Sequence, residues 1–127
     1  MTNETGKTHL TAVATVAIPV TDHDRALEFY QSLGFEKRMD AELPGLRWIE
    51  LGLPGAATSL ALAPAGPDAP AGKDTGIRLA TSDATADHAA LRERGVDADE
   101  EVLRWEGVPP MFSFRDPDGN SLYVVER

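Results

Sequence analysis

The residues that could carry chemistry in this chain are few and scattered. Its histidines are His9, His23 and His88, and it has no cysteine. No H-x-H, H-x₃-H or H-E-x-x-H spacing occurs, so no local motif presents two imidazoles to one ion. The missing cysteines exclude disulfides, thiol nucleophiles, thiolate zinc sites and iron–sulfur clusters. No Ser-His-Asp order with a supporting motif appears, and no glycine-rich phosphate loop. What remains is aromatic and charged: Trp48 with Glu50, Arg47, Arg78, Phe112 with Phe114, Trp105 and Tyr123. Such rings stack on planar organic surfaces, and a guanidinium clamps a carboxylate or phosphate. A lone helical histidine such as His88 is ordinarily a packed structural residue. The acidic run Asp97, Asp99, Glu100 and Glu101 reads as a solvated face.

Those residues must be positioned by the elements around them. Val13–Val20 is β-branched and apolar and reads as a buried strand. Thr21-Asp22 then opens a helix with Ala26, Phe29, Tyr30 and Leu33 on one face, ending at Gly34. Strands are expected at Phe35–Asp40, Leu46–Leu51 and Thr58–Ala63, separated by Pro44-Gly45 and Pro54-Gly55. Pro64–Gly72 holds three prolines and begins a linker over residues 64–74. The same order then returns: a strand at Gly76–Ala80, a helix opened by Ser82-Asp83 and closed by Gly95, and strands at Glu101–Trp105, Met111–Arg115 and Ser121–Glu126. Asp22 to Gly34 spans twelve residues and Asp83 to Gly95 spans the same twelve. The chain is therefore read as α+β, one domain over 1–127 built of two tandem βαβββ modules, about 12–63 and 75–127, whose curved mixed sheets enclose a cleft.

These residues resemble a known superfamily, the vicinal oxygen chelate fold of glyoxalases, bleomycin-resistance proteins and extradiol dioxygenases. The carriers are Val20-Thr21-Asp22, the F-Y-x-x-L-G-F run Phe29 to Phe35, and F-R-D-P-D-G-N at Phe114 to Asn120. Asp22 reads as a helix cap and the D-P-D-G segment as a hairpin turn. The resemblance implies a divalent metal held by His, Gln or Glu from four strands. The positions it carries over are Thr15, Ala61, Gly76 and Tyr123, whose side chains cannot replace imidazoles and carboxylates. No metal and no other cofactor is therefore expected, and a ligand is expected in an aromatic-lined cleft formed by Thr15, Trp48, Glu50, Ala61, Gly76, Arg78, Phe112, Phe114 and Tyr123. Trp105 and the loop after it are read either as a cover for the cleft mouth or as core or dimer interface.

Composition bounds the partners. The 127 residues carry 21 Asp+Glu against 12 Lys+Arg, a net charge of −9, which opposes a phosphate-tracking surface and nucleic acid as partner. Met1–Leu10 is polar, no apolar run is long enough to span a membrane, and a cytoplasmic location is expected. The expected function is binding or sequestering a small organic molecule, by a homodimer. The alternative is a glyoxalase-like lyase or isomerase, or a dioxygenase, holding a divalent metal at an atypical site.

Overall fold

A computed structural model describes residues 6–127; the first five residues of the polar stretch Met1–Leu10 lie outside it. The elements are β1 (Thr15–Val20), α1 (His23–Ser32), β2 (Glu36–Leu43), β3 (Leu46–Gly52), β4 (Ser59–Pro64), β5 (Asp74–Thr81), α2 (Ala84–Glu93), β6 (Met111–Arg115) and β7 (Ser121–Glu126). The first four strands form one sheet in the order β1-β4-β3-β2 and the last three another in the order β5-β7-β6. β1 pairs parallel with β4 and β5 with β7, and the remaining pairs are antiparallel. No helix among the described residues is long and apolar enough to cross a membrane.

Both helices begin on an aspartate because its carboxylate satisfies an orphan N–H. Asp22 Oδ1 accepts from Arg25 N–H at 3.1 Å and Asp83 Oδ1 from Ala86 N–H at 3.0 Å. Each helix ends before a left-handed residue, Gly34 at φ +106° and Gly95 at φ +80°.

One expected strand is absent. Between the helix and β6 of the second half, only Ala98 and Leu103 bridge, to Phe114 and Met111. Five chain steps on one side face three on the other, so two extra residues break the register. Past Leu103 the chain turns, Val108 N–H donating to Trp105 C=O at 3.1 Å, into Pro109-Pro110, which have no N–H to extend a ladder. Trp105 is left 67% exposed.

Residues opposite each other across a ladder share a face. In the first sheet, the register Thr15↔Ser59, Glu50↔Ala61, Met39↔Glu50 and Ala41↔Trp48 places these side chains together. The alternate residues Ile18, Val20, Ile49, Leu51, Leu60 and Leu62 turn to the other side and join the core with α1. In the second sheet Arg78, Tyr123 and Ser113 share a face, and Leu122, Val124, Phe112 and Phe114 occupy the core side. The structure therefore does not bring Phe112 and Phe114 to the face of Tyr123. β6 alternates, so with Ser113 outward both rings point in, Phe112 edge-on to His88 and Phe114 beside Phe29. Arg47 likewise lies on the helix side, clamped between Asp24 and Asp40.

The two helix-bearing sides share a single core. Its junction is built by the Asp116-Pro117-Asp118-Gly119-Asn120 turn, which is more than a hairpin. Tyr30 Oη donates to buried Asp116 at 2.8 Å, Asn120 Nδ2 donates to Asp116 and to the Pro19 carbonyl, Asp118 accepts from Thr21, and Arg25 donates to the Pro117 carbonyl. Burial and the neighbouring Asp116 push the Tyr30 phenol far above its ordinary range. Both sheets turn their helix sides to one core, and their opposite faces lie outside it.

Candidate functional site

On the outer face of the first sheet, Glu50 organises a small polar cluster. Trp48 Nε1–H donates to Glu50 Oε2 at 2.8 Å, and the Ser59 and Thr15 hydroxyls reach Oε1 at 3.3 and 3.5 Å. Thr15 and Ser59 are also within 3.1 Å of each other. The carboxylate holds the indole through its N–H, so the ring's orientation on the sheet is set from below, while Trp48 and Glu50 stay partly exposed. Around them the same face carries exposed apolar side chains, Met39, Leu43 and Leu46.

On the outer face of the second sheet, the Arg78 guanidinium stacks 4.4 Å from the Tyr123 ring centroid, and its Nη1 donates to Gly76 C=O at 2.8 Å. Tyr123 Oη donates to Asp74 Oδ2 at 2.7 Å, and Gly76 N–H donates to Asp74 Oδ1 at 2.9 Å. The Tyr123 hydroxyl and then the Gly76 amide hold the Asp74 carboxyl below the usual range, while the hydrogen bond to Asp74 raises the Tyr123 phenol. Beside them, Arg115 pairs with Asp97 and Asp99 at 3.0 Å each, and Ser113 donates to Asp99. Burial alone would raise the Asp99 carboxyl, but the Ser113 N–H and Arg115 overcome it and the net displacement is downward. The acidic run is therefore divided: Asp97 and Asp99 bind Arg115, whereas Glu100 and Glu101 are exposed.

The structure thus groups Thr15, Trp48, Glu50 and Ala61 on one outer face and Gly76, Arg78 and Tyr123 on the other, with Phe112 and Phe114 in the core. Sequence reasoning missed Ser59, Asp74 and Ser113, and it took Asp99 for part of a solvated face where the structure has it engaged by Ser113 and Arg115. Ser59 and Ser113 were legible from alternation, two residues from Ala61 and Arg115 on the same faces. Asp74 was hidden because it precedes the strand expected at Gly76–Ala80.

The metal that the family resemblance implies does not fit these residues. The four positions supply a hydroxyl, a methyl, a bare backbone and a phenol already donating to Asp74, none of them the carboxylate or imidazole donors of the implied ligand set. Among the described residues, no group of three or more His, Cys, Asp or Glu converges as a metal-holding set. His88 is engaged structurally, its Nε2 2.6 Å from the Asp99 carbonyl.

A separate cavity of about 170 Å³ lies on the helix side, between Leu33, Leu53, Leu79, Leu91 and Arg94. Its lining also takes in the Phe35 and Phe114 rings, Thr81 and Asp87, and of the nine positions expected from the sequence it includes only Phe114. The ordered aromatic and polar clusters place the candidate site on the outer faces.

Solved structures share this architecture. A member of the glyoxalase/bleomycin resistance protein/dioxygenase superfamily from Sphaerobacter thermophilus is 36% identical, with 93% of this chain and 98% of that one covered and a TM-score of 0.85. TnmS3, an antibiotic binding protein from a Streptomyces species, is 32% identical over 94% and 98%, with a TM-score of 0.83. A glyoxalase/bleomycin resistance protein from the same Streptomyces source is 34% identical over 90% and 99%, with a TM-score of 0.75. No curated protein matches the chain. The family model for the glyoxalase/bleomycin resistance protein/dioxygenase superfamily matches residues 12–124. With these strands, this turn and this breadth of match, the chain belongs to the glyoxalase/bleomycin resistance protein/dioxygenase superfamily.

Proposed function

We propose that this chain binds an organic small molecule on its outer sheet faces without a metal of its own, and that a second copy completes the site by covering them. The observation that carries the reading is the pair of ordered aromatic and polar clusters, Trp48 on Glu50 and Arg78 on Tyr123, on partly exposed strands. Buried rings that only stabilise a fold sit among apolar neighbours; these two are held by hydrogen bonds with one side open, the arrangement of a stacking platform. The second copy is supported by Met39, Leu43 and Leu46, which are 43%, 59% and 40% exposed beside Trp48 and would be withdrawn from water by a facing protomer. The likeness to an antibiotic binding protein at 32% identity favours binding over turnover, and the donor set argues against a resident divalent ion.

The test is a thermal-shift and calorimetry screen with cationic glycopeptide and planar antibiotics, run beside light scattering. A ligand present at 100 times its Kd stabilises the fold by about 2.7 kcal/mol, readily seen as a rise in Tm. The reading predicts at least one stabilising ligand, weakened by Trp48→Ala, and a dimer mass. A monomer that none of them stabilises would refute it.

A further inference from the structure

We infer that the helix-side cavity is a second binding site, for a small primary amine carried on a single aromatic ring, whose ammonium is read by Asp87. The inference stands apart from the outer-face site and follows from how the two halves of the chain differ. The halves align from helix cap to helix stop, Asp22 with Asp83 and Gly34 with Gly95. In that alignment the core-facing stripe of α1, Ala26, Phe29, Tyr30 and Leu33, corresponds to Asp87, Ala90, Leu91 and Arg94 of α2. All four of those α2 residues line the cavity.

Two of the exchanges remove volume. In the first half Phe29 and Tyr30 put two rings against the core, edge-on to each other with centroids 5.2 Å apart. The second half has a methyl group at Ala90 and an isobutyl group at Leu91 in their places. The missing volume is not refilled: about 170 Å³ stays open between Leu33 and Leu53 of the first module and Leu79, Leu91 and Val124 of the second. An apolar cavity of about 150 Å³ takes up benzene, so this one holds one ring. Drug-sized ligands need about 300–1,000 Å³, so the ligands of the outer-face site do not fit here.

The other two exchanges add charge. Asp87 stands where the first half buries Ala26, and it is the only acid among the described residues that line the cavity. Its side chain is half-buried, and no ion pair among the described residues takes up its carboxylate. Arg94 does not neutralise it. Seven residues of helix set their Cα atoms about 10 Å apart, and Arg94 instead gives its Nη1 to the Ser32 carbonyl at the end of α1, at 2.6 Å. A carboxylate at the rim of an apolar gap favours a cation that brings its own apolar body, and a protonated amine supplies the charged donors that the carboxylate accepts. The chain's charge of −9 acts in the same direction, attracting cations and repelling acids.

The experiment titrates benzylamine, benzyl alcohol and benzoate by calorimetry into the full chain and into its Asp87→Asn and Ala90→Phe variants, with amide chemical-shift mapping of the wild type. The wild type is expected to bind benzylamine about tenfold tighter than benzyl alcohol, the gain from charging a hydrogen-bond donor, with benzoate weakest. Benzylamine should shift the amides of Leu33, Leu53 and Leu91 and leave those of Trp48 and Tyr123 in place. Asp87→Asn should bring the amine-to-alcohol ratio to about one. Ala90→Phe supplies the ring that Phe29 supplies in the first half, and it should abolish benzylamine binding and raise Tm. If Ala90→Phe does not fold, Asp87→Asn, a near-isosteric change at a half-buried position, decides alone. The inference fails if benzyl alcohol binds the wild type as tightly as benzylamine, if Asp87→Asn keeps the amine preference, or if a folded Ala90→Phe binds benzylamine like the wild type. It fails equally if the shifts centre on Trp48 and Tyr123, or if no probe binds at millimolar concentration. None of these results removes the outer-face site, whose ligands are too large for the cavity.

Discussion

Replacing Tyr30 by Phe isolates the junction between the two halves. The substitution removes only the hydroxyl that donates to Asp116 Oδ2 at 2.8 Å and keeps the ring, whose edge contacts to Phe29 and Phe35 have centroid separations of 5.2 and 5.7 Å. Tyr30 is fully buried and Asp116 is 5% exposed, so water cannot replace the lost donor. A hydrogen bond to a charged partner contributes about 1.5–3 kcal/mol net. Asp116 Oδ2 keeps the Asn120 side-chain donor at 3.0 Å, and Oδ1 keeps the Asp118 and Asn120 amides, which places the loss near the lower half of that range, about 2 kcal/mol. For a chain of this size that lowers Tm by about 6–10 °C. Urea denaturation should show the midpoint falling with an unchanged m-value, because the surface exposed on unfolding is the same. Tyr123→Phe removes a phenol donating to an aspartate on an exposed strand and should leave the midpoint nearly unmoved. A Tyr30→Phe midpoint within about 0.5 kcal/mol of wild type would refute the assignment of this turn as the latch between modules.

The remaining predictions concern the outer faces. The Asp97 and Asp99 carboxyls are both held low, and depressed folded pKa values give stability that is present above the unfolded value, near 3.8, and lost as pH falls through the folded values. Arg115→Met should therefore cost most at neutral pH, with its Tm difference from wild type shrinking below about pH 4; a pH-independent difference would deny the ion pairs a role. In a Trp105→Phe background, Glu50→Ala should release the Trp48 indole, seen as lower steady-state anisotropy and red-shifted emission, and unchanged spectra would show that Glu50 does not hold the ring. Elemental analysis of protein purified without chelators should find substoichiometric Ni, Zn, Fe and Mn, whereas one equivalent of any would contradict metal-free binding.

Much of the architecture could be read from local chemistry. Asp22, Asp83, Gly34 and Gly95 mark both helices because caps and left-handed stops depend on one residue's side chain or φ, and the ranges of β6 and β7 follow from alternation on either side of the D-P-D-G turn, with a proline pair before β6. The edge segment after α2 was misread because Glu101–Trp105 has the composition of a strand while its two surplus residues and Pro109-Pro110 deny it a ladder. The sequence also defines which residues share a face but not which face meets the core. That choice depends on where the helices settle, which is why Trp48, Glu50, Arg78 and Tyr123 lie outward while Phe112 and Phe114, expected beside them, are core residues. The latch was unreadable for another reason: Tyr30 and Asp116 are 86 residues apart, and neither type signals a partner.

The account rests on the outer sheet faces being where a drug-sized ligand binds, and amide chemical-shift mapping with an antibiotic that stabilises the chain tests this directly. The account predicts the largest shifts at Thr15, Trp48, Glu50, Ser59, Arg78 and Tyr123, with small changes at Leu33, Leu53 and Leu91. Shifts centred on those three leucines, around the helix-side cavity, would contradict it.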